Sequence, residues 1–280
     1  MEKRQLVIFT DLDGTFLGHH DYSHAKLDPV LPVIRDLKIP LVYCSSKTRA
    51  EMEKLREETG NHHPFIVENG GAVFWPSGYF PQAEGNNEKR DGYHLLELGI
   101  PRVKLLQELN RIRTVLGAPI RSFADMTAWD LAESSGLSVE AARLAREREY
   151  DEPFEIMTQD SSIHARVAEQ IARTGLNCTR GGRYWHILGN NDKGKACRFL
   201  MEMFRMLYPS MITAGFGDSA NDLPMLQAVD LPILVKRGDG TYDPQIRNSL
   251  SGVILAEGVG PEGWARAVQP LLSRFGRPKL

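Results

Sequence analysis

The sequence has few cysteines, no long apolar run and no excess of charge of one sign. Its three cysteines, Cys44, Cys178 and Cys197, are too few and too scattered for a disulfide framework or a zinc site. Their odd number suits a reducing compartment, so we expect a cytoplasmic protein. No stretch reaches the roughly 20 apolar residues of a membrane helix or the roughly 7–15 of a signal peptide. We therefore expect no membrane partner.

Charge and length narrow the class of protein further. The 34 basic and 36 acidic residues nearly cancel, whereas a domain that wraps nucleic acid usually carries a basic excess. We therefore expect no nucleic-acid partner. A hydrophobic content of 42% and a charged content of 25% are close to globular averages and allow a sizeable core. The 280 residues fit about two domains of roughly 100–200 residues each.

Short apolar runs alternate with helical patterns at both ends of the chain. We predict strands at 6–9, 39–43 and 65–67, with helices at 28–37 and 48–58 between them. Asp28 is the predicted N-cap of the first helix, with Pro29 at its first position. After residue 189, a strongly amphipathic helix precedes predicted strands at 211–216, 232–235 and 253–256 and a final helix from 261. This order predicts an α/β fold with a parallel sheet.

The middle of the chain breaks this pattern. Pro, Gly and Asn cluster between residues 75 and 91, which predicts a long loop. Predicted strands near 94–98, 120–123, 155–158 and 184–188 then alternate with helical stretches. We interpret them as a second α/β unit inserted in the first. The predicted division is a catalytic core of residues 1–84 and 189–280, and a cap of residues 85–188.

Polar side chains follow three of the predicted core strands. Asp11 and Asp13 end the first strand, Ser45 ends the second, and Asp218 and Asp222 end a late one. Ligands bind at the carboxyl ends of such strands, so we expect these groups to converge. Oxygen-only donors suit Mg²⁺, and the absence of His and Cys from these turns disfavours zinc.

These residue types fit phosphoryl transfer. An ionised aspartate can attack phosphorus, and a carboxylate two residues on, as Asp13 is from Asp11, can act as general acid and base. A lysine and a hydroxyl must hold the phosphate, and Lys193 and Ser45 are the candidates. Singly, each has a structural alternative: a turn, a helix cap or a solvated lysine. Their joint occurrence in order favours the functional interpretation.

The same residues resemble the four motifs of the haloacid dehalogenase (HAD) superfamily. The motifs are Asp11-Leu12-Asp13-Gly14-Thr15, then Ser45, then Lys193, then Gly217-Asp218-Ser219-Ala220-Asn221-Asp222. An α/β insert between the second and third motifs resembles the Cof-type branch with a C2B cap, which implies a Rossmann-like core. Within this branch, residues 45–51, 68–71, 146–154 and 182–186 are similar to the mannosyl-3-phosphoglycerate phosphatase family.

The resemblance assigns roles to these positions. Asp11 would form an aspartyl-phosphate and Asp13 would be the acid/base. Mg²⁺ would be held by the carboxylates of Asp11 and Asp218 and the backbone carbonyl of Asp13. The remaining roles are phosphate binding by Ser45 and Lys193 and orientation of the site by Asn221 and Asp222. The chain departs from many relatives in having Ser45 in place of threonine and Phe16 in place of leucine.

The cap is expected to set specificity, because many substrates share the core motifs. Arg148 and Glu152 are candidate substrate contacts, and the alternative is a solvated, salt-bridged helix end. Lys47 and Arg49 are further candidates, or they pair with nearby glutamates. His186 fits a packed strand residue better than a ligand.

The resemblance implies Mg²⁺-dependent hydrolysis of a small phosphorylated sugar-glycerate, mannosyl-3-phosphoglycerate, to mannosylglycerate and phosphate. A glucosyl or other sugar phosphate is the nearest alternative substrate. A HAD phosphomutase would use the same nucleophile and acid/base, and a non-catalytic sensor would only bind the ligand. The sequence makes no prediction of oligomeric state.

Overall fold

A computed structural model describes residues 4–83, 88–181 and 184–275. Its strands, numbered in chain order, are β1 (Gln5–Thr10), β2 (Leu41–Cys44), β3 (Phe65–Val67), β4 (Ala72–Pro76), β5 (Glu88–Arg90), β6 (Tyr93–Glu97), β7 (Ile120–Ser122), β8 (Asp151–Ile156), β9 (Asn177–Gly181), β10 (Tyr184–Leu188), β11 (Met211–Gly217), β12 (Leu231–Lys236) and β13 (Ile254–Val259).

The α-helices lie between these strands and on the faces of the sheets. They are α1 (Leu31–Asp36), α2 (Arg49–Thr59), α3 (Arg102–Leu116), α4 (Ala128–Ser135), α5 (Val139–Ala145), α6 (Ser161–Arg173), α7 (Lys193–Leu207), α8 (Leu223–Ala228), α9 (Pro244–Ser249) and α10 (Gly260–Phe275).

The larger sheet has the strand order β13-β12-β11-β1-β2-β3-β4-β6-β5. Strands β13 to β3 are parallel, and β4, β6 and β5 extend the sheet by antiparallel pairing. The central strand β1 lies between β2 and β11, so Phe9 pairs with Val42 on one side and Gly215 on the other. The fold is therefore the α/β architecture with a mainly parallel sheet that the sequence predicts.

Strand β1 is buried on both faces, as its continuous apolar run predicts. Leu6 and Ile8 pack into one hydrophobic cluster with Trp264 of α10. Val7 and Phe9 point to the opposite face and pack into a second cluster that contains Phe204 of α7. Complete burial of such a side chain stabilises the fold by about 1.5–3 kcal/mol. This central strand is thus a rigid support for the residues that follow it.

A second, antiparallel sheet has the order β7-β8-β10-β9. Helices α3 and α6 cover one face and bury Phe154, Ile156 and Ile187 of the sheet. Near β10, Tyr184 packs with Phe123 and with side chains of α4 and α5.

The position of β5 and β6 bears on the predicted domain boundary, which stays a prediction. The predicted junction of residues 84 and 85 lies outside the described residues, but β6 pairs along β4 in the large sheet. Trp75 and His94 stack across this pair with ring centroids 5.8 Å apart. The predicted loop at 75–91 therefore includes the end of β4 and all of β5. We propose that the inserted unit begins after residue 97 and ends at 188.

Three local predictions also differ from the structure. Helix α1 has Val30 as its N-cap and Pro32 in its first turn, so Asp28 and Pro29 precede the helix. Strand β8 spans Asp151–Ile156 instead of 155–158, and β9 was not predicted. Within the described ranges, every helix is too short or too polar to span a bilayer.

Candidate active site

The carboxyl ends of β1 and β11 bring three acidic side chains together. The backbone N–H of Asp11 donates to the carbonyl of Phe216 at 2.8 Å, which holds the two strand ends side by side. Carboxylate oxygens of Asp11, Asp218 and Asp222 lie within 4.8 Å of one another, and all three residues are buried. We name these three residues the acidic cluster. Residues from opposite ends of the chain thus converge as the sequence predicts.

Lys193 contributes a positive charge to the acidic cluster. It is the first residue of α7, whose N-cap is Asp192, and its side chain is completely buried. Its Nζ lies 2.5 Å from Oδ1 of Asp11 and 2.6 Å from Oδ1 of Asp222. One ammonium group thus faces three carboxyl groups.

Burial and this imbalance of charge raise the pKa values of two of the carboxyl groups, those of Asp11 and Asp218. Burial and then the charge of Asp222 raise the pKa of Asp11 to about 7, although Lys193 opposes the change. Burial, Asp222 and Asp11 also raise the pKa of Asp218 well above its usual range. Buried like charges disfavour one another, so a bound cation would stabilise their ionised forms. The oxygen-only donor set fits a hard cation.

Asp222 differs from the other two acids because both of its oxygens are already used. Oδ1 accepts from Lys193, and Oδ2 accepts the backbone N–H groups of Asp218 at 3.0 Å and Ser219 at 3.1 Å. Asp222 therefore orients Lys193 and the turn that carries Asp218. This leaves Asp11 and Asp218 as the better metal ligands.

Gly14 allows the turn after β1 to pass close to Asp218. It has φ of +82°, and a Cβ at this position would lie 2.9 Å from Oδ2 of Asp218. The next residue, Thr15, donates its hydroxyl to Oδ1 of Asp218 at 3.1 Å. The Asp-Gly-Thr sequence thus both makes the turn and positions the late acidic residue.

Asp13 lies beside Lys47 at the edge of the cluster. Nζ of Lys47 is 3.0 Å from Oδ1 of Asp13 and 3.4 Å from Oε1 of Glu51. Burial disfavours the charged lysine, but Asp13 and Glu51 raise the pKa of Lys47 above its usual range. Lys47 therefore both forms the predicted pair with a glutamate and lies next to the predicted acid/base.

Ser45 is buried at the end of β2, the strand next to β1. Its hydroxyl oxygen accepts the backbone N–H of Lys47 at 3.3 Å. The turn after β2 therefore holds the hydroxyl group and Lys47 in one compact loop.

A cleft of about 920 Å³ lies between the acidic cluster and the antiparallel sheet. Asp11, Asp13, Asp218 and Lys47 line it from the core side. Its other lining residues from the inserted unit include Phe123, Leu137, Arg148, Pro153, Arg180, Tyr184 and His186. A substrate in this cleft would contact both units of the protein.

Arg148 lines the cleft, but its guanidinium group already has partners. Nε lies 2.5 Å from Oδ1 of Asp151, and Nη2 donates to the carbonyl of Ser46 at 2.5 Å. Only 4% of its side chain is exposed. Arg148 therefore forms a buried ion pair and is not part of a solvated helix end.

Two predicted substrate contacts lie outside the cleft lining. Glu152 is fully buried and accepts from Nε of Arg102 at 2.5 Å and from the N–H of Ala124 at 2.8 Å. Side chains alternate along a strand, so Glu152 shares the helix-covered face of β8 with Phe154, while Pro153 faces the cleft. Arg49 pairs with Glu53 at 3.7 Å, as the glutamate alternative has it, and also with Asp91 at 2.8 Å.

Sequence reasoning gave no individual role to Glu68, Asn69 and Asp151, which are buried where the two units meet. The carboxylate of Glu68 accepts the backbone N–H groups of Glu149, Tyr150 and Asp151 at 2.9, 2.7 and 2.9 Å. The stretches 68–71 and 146–154, noted above for their resemblance, are thus in contact. Both stretches resemble the same family, and this was the sequence signal that could have drawn attention to these residues. In the stretch 182–186, Gly182 and Arg183 lie outside the described residues.

Asp151 is the centre of this group. Its carboxylate accepts from Arg148, from Nδ1 of His186 at 3.0 Å and from Nδ2 of Asn69 at 3.1 Å. Burial opposes ionisation, but Arg148 and His186 hold the pKa of Asp151 well below its usual range. His186 is therefore a packed strand residue, as predicted, and it also lines the cleft.

The comparisons with known proteins agree with this geometry. The model of the haloacid dehalogenase-like hydrolase family matches residues 8–84 and 146–243. The chain belongs to this family. Its fold is similar to that of a solved HAD subclass IIB sugar phosphatase, with a TM-score of 0.65 and 14% identity over 95% of this chain and 99% of that one.

Two curated relatives are similar over most of their length. A glucosyl-3-phosphoglycerate/mannosyl-3-phosphoglycerate phosphatase from Methanococcoides burtonii is 44% identical over 96% of this chain and 97% of its own. A mannosyl-3-phosphoglycerate phosphatase from Pyrococcus horikoshii is 33% identical over 82% of this chain and 90% of its own.

Proposed function

We propose that the protein is a Mg²⁺-dependent phosphatase that hydrolyses mannosyl-3-phosphoglycerate to mannosylglycerate and phosphate. The observation that carries this proposal is the meeting of Asp11, Asp13, Asp218 and Lys193 below the cleft. The names of the curated relatives supply the substrate.

Asp11 is the proposed nucleophile. Its carboxylate attacks phosphorus, a bond to the glycerate oxygen breaks, and an aspartyl-phosphate forms. Asp13 gives a proton to the leaving oxygen. It then takes a proton from the water that attacks the aspartyl-phosphate, which releases phosphate and restores Asp11.

Lys193 and Ser45 are the proposed phosphate-binding residues. The ammonium group of Lys193 is fixed between Asp11 and Asp222, so it needs little reorganisation as charge develops on the phosphoryl oxygens. Asn221 and Asp222 support the turn that carries Asp218. These roles use side chains that the core holds rigidly.

Mg²⁺ is the proposed cofactor, because the acidic cluster has more negative than positive charge and its donors are oxygens. The carboxylates of Asp11 and Asp218 and the backbone carbonyl of Asp13 would hold it. Bound there, the ion would neutralise charge on the phosphoryl group. Asp222 would remain outside the ligand set, because its oxygens bind Lys193 and two backbone N–H groups.

Lys47 is the residue we favour for contact with the substrate outside the phosphate. It lines the cleft next to Asp13, and a cation there suits the glycerate carboxylate. Arg148 also lines the cleft, but its guanidinium group is held by Asp151 and by the carbonyls of Ala145 and Ser46, so we rank it below Lys47 as a substrate contact. We assign no substrate contact to Arg49 or Glu152.

Glucosyl-3-phosphoglycerate is the second candidate substrate, because one curated relative is named for both sugars. The two substrates differ only in the sugar, which the inserted unit would contact. Kinetics on both compounds with the same preparation would rank them.

The test measures phosphate release from both glycosyl phosphoglycerates and from a panel of sugar phosphates, with Mg²⁺ and with a chelator. We expect the highest kcat/KM on a glycosyl phosphoglycerate, loss of activity with the chelator, and a higher Tm on adding Mg²⁺ that Asp218→Asn abolishes. A clear preference for another ester would reject the substrate. Transfer of phosphate within the sugar without release would instead identify a mutase.

A further inference from the structure

Asn69 lies between the inserted unit and the turn that carries the late acidic residues. It follows β3, has φ of +57° and is 3% exposed. Its Nδ2 donates to Oδ2 of Asp151, and its Oδ1 accepts from Nδ2 of Asn221 at 3.2 Å. One amide therefore joins a strand of the antiparallel sheet to the turn at the end of β11.

The direction of this chain of hydrogen bonds is fixed by chemistry. A carboxylate accepts hydrogen bonds and cannot donate, so the NH₂ group of Asn69 must face Asp151. Its carbonyl oxygen must then face Asn221, which turns the NH₂ group of Asn221 towards Asn69. The carbonyl oxygen of Asn221 is left to accept from the hydroxyl of Ser219 at 2.7 Å. Each amide has one orientation that satisfies all its neighbours.

The two ends of this chain both reach the cleft. Asp151 binds His186, and both His186 and Asn221 line the cleft. At the other end, the turn of Asn221 also carries Asp218, whose N–H is held by Asp222. The turn is thus held from within by Asp222 and from outside by Asn69.

We propose that Asn69 is a positioning residue for the reaction, which acts through Asn221 on the turn 218–222 and links that turn to Asp151. The proposal rests on the phosphatase function proposed above. A buried polar network that is fully satisfied rigidifies its surroundings. Loss of the link would leave the fold intact and let the turn of Asp218 adopt other positions.

The test is a double-mutant cycle of Asn69→Gly and Asn221→Ala. Glycine suits the positive φ of residue 69 and removes only the amide. We expect each single variant to lower kcat by about tenfold with KM nearly unchanged. The kcat of the double variant should be no lower than that of the less active single variant, as for residues that act through one contact. Additive losses in the double variant would overturn the proposal, as would wild-type kcat in Asn69→Gly.

Two further variants separate positioning from general stability. Asn191→Ala removes a 3.3 Å hydrogen bond to the backbone carbonyl of Asn69, and we expect wild-type kcat from it. Asn69→Asp keeps an oxygen facing Asn221 but cannot donate to an ionised Asp151, so we expect it to lower kcat as well. If Asn191→Ala lowers kcat as much as Asn69→Gly, the effect comes from the backbone turn at residue 69 and not from the side-chain amide of Asn69. The proposal then fails.

All variants are measured on mannosyl-3-phosphoglycerate and on the generic ester p-nitrophenyl phosphate, and their Tm values are compared. Wild-type activity on the generic ester alone would reject the proposed substrate while the cycle still tests Asn69. A wild-type enzyme active on the sugar substrate with an additive cycle would reject only the role of Asn69.

Discussion

Two clusters of buried charged groups within the described residues differ in how their charges are balanced. The acidic cluster has three carboxyl groups, and one ammonium group, that of Lys193, lies against it. Where the two units meet, a second group, which we name the junction cluster, consists of Glu68, Arg148, Asp151 and His186. There Asp151 is matched by Arg148 and His186, and Glu68 by three backbone N–H groups.

The pKa values of Asp11 and Asp151 follow this difference, whereas that of Glu68 does not. Burial and a neighbouring carboxylate raise the pKa of Asp11 to about 7, whereas Arg148 and His186 lower that of Asp151 against the effect of burial. Burial also raises the pKa of Glu68 to about 7, although Arg148 and the N–H groups oppose this. A buried cluster short of positive charge needs a ligand, and one with matched partners stabilises structure. Perturbed pKa values mark functional sites only when read with their partners.

The largest effect should come from the acidic cluster. Asp11→Asn removes the proposed nucleophile, and we expect kcat on mannosyl-3-phosphoglycerate to fall at least about a thousandfold. Because the change removes one of three like charges, Tm without metal should remain near the wild-type value. Asp36→Asn, the same change at an exposed position of α1, is the matched control and should keep full activity. Appreciable turnover by the Asp11 variant would contradict the assigned role.

The junction cluster should instead respond in stability. Arg148→Met leaves the buried Asp151 without its main partner, and removal of one member of a buried ion pair costs about 3–5 kcal/mol. Urea unfolding followed by circular dichroism measures the change. A loss below about 1 kcal/mol would show that the remaining partners, His186 and Asn69, suffice, and the contrast between the clusters would disappear.

Acid should weaken the junction cluster through Asp151. Its pKa is lowered in the folded protein, so its contribution to stability is complete above the unfolded value of about 3.9 and is lost as pH falls below it. Arg148 stays charged in this range, and Glu68, His186 and Asn69 are the other groups that face Asp151. We therefore expect the free energy of unfolding to decrease more between pH 7 and low pH for the wild type than for Asp151→Asn. Equal slopes would mean that Asp151 titrates normally.

The smallest effect is expected from a substitution at an ion pair on the surface. Arg49 pairs with Asp91, whose side chain is 68% exposed, and exposed pairs contribute about 0–1 kcal/mol. Arg49→Met, the same substitution as at Arg148, should therefore change the unfolding free energy by less than about 1 kcal/mol. Its KM should stay within about twofold of wild type, since Arg49 is not among the residues that line the cleft. A strongly raised KM would restore the predicted substrate contact.

Much of the core could be predicted because its signals are local. The apolar run before Asp11 identifies a strand buried on both faces, and Lys193 opens a strongly amphipathic helix. The pairing of β6 with β4 could not be predicted, because it depends on contacts between residues of separate strands, such as Trp75 and His94. Glu152 was predicted to contact the substrate because the predicted strand began at 155 and excluded it, whereas β8 begins at Asp151 and buries Glu152.

The sequence by itself determined the motifs, their order and the strand ends that carry them, because apolar runs, turn glycines and spacings are written in consecutive residues. Only the tertiary structure decided which charges balance one another. Asp11 and Asp222 share one lysine, Lys193, while Asp151 has Arg148, His186 and Asn69. The energy of a buried charge depends on all its neighbours within a few ångströms, and those neighbours come from segments that are far apart in the chain.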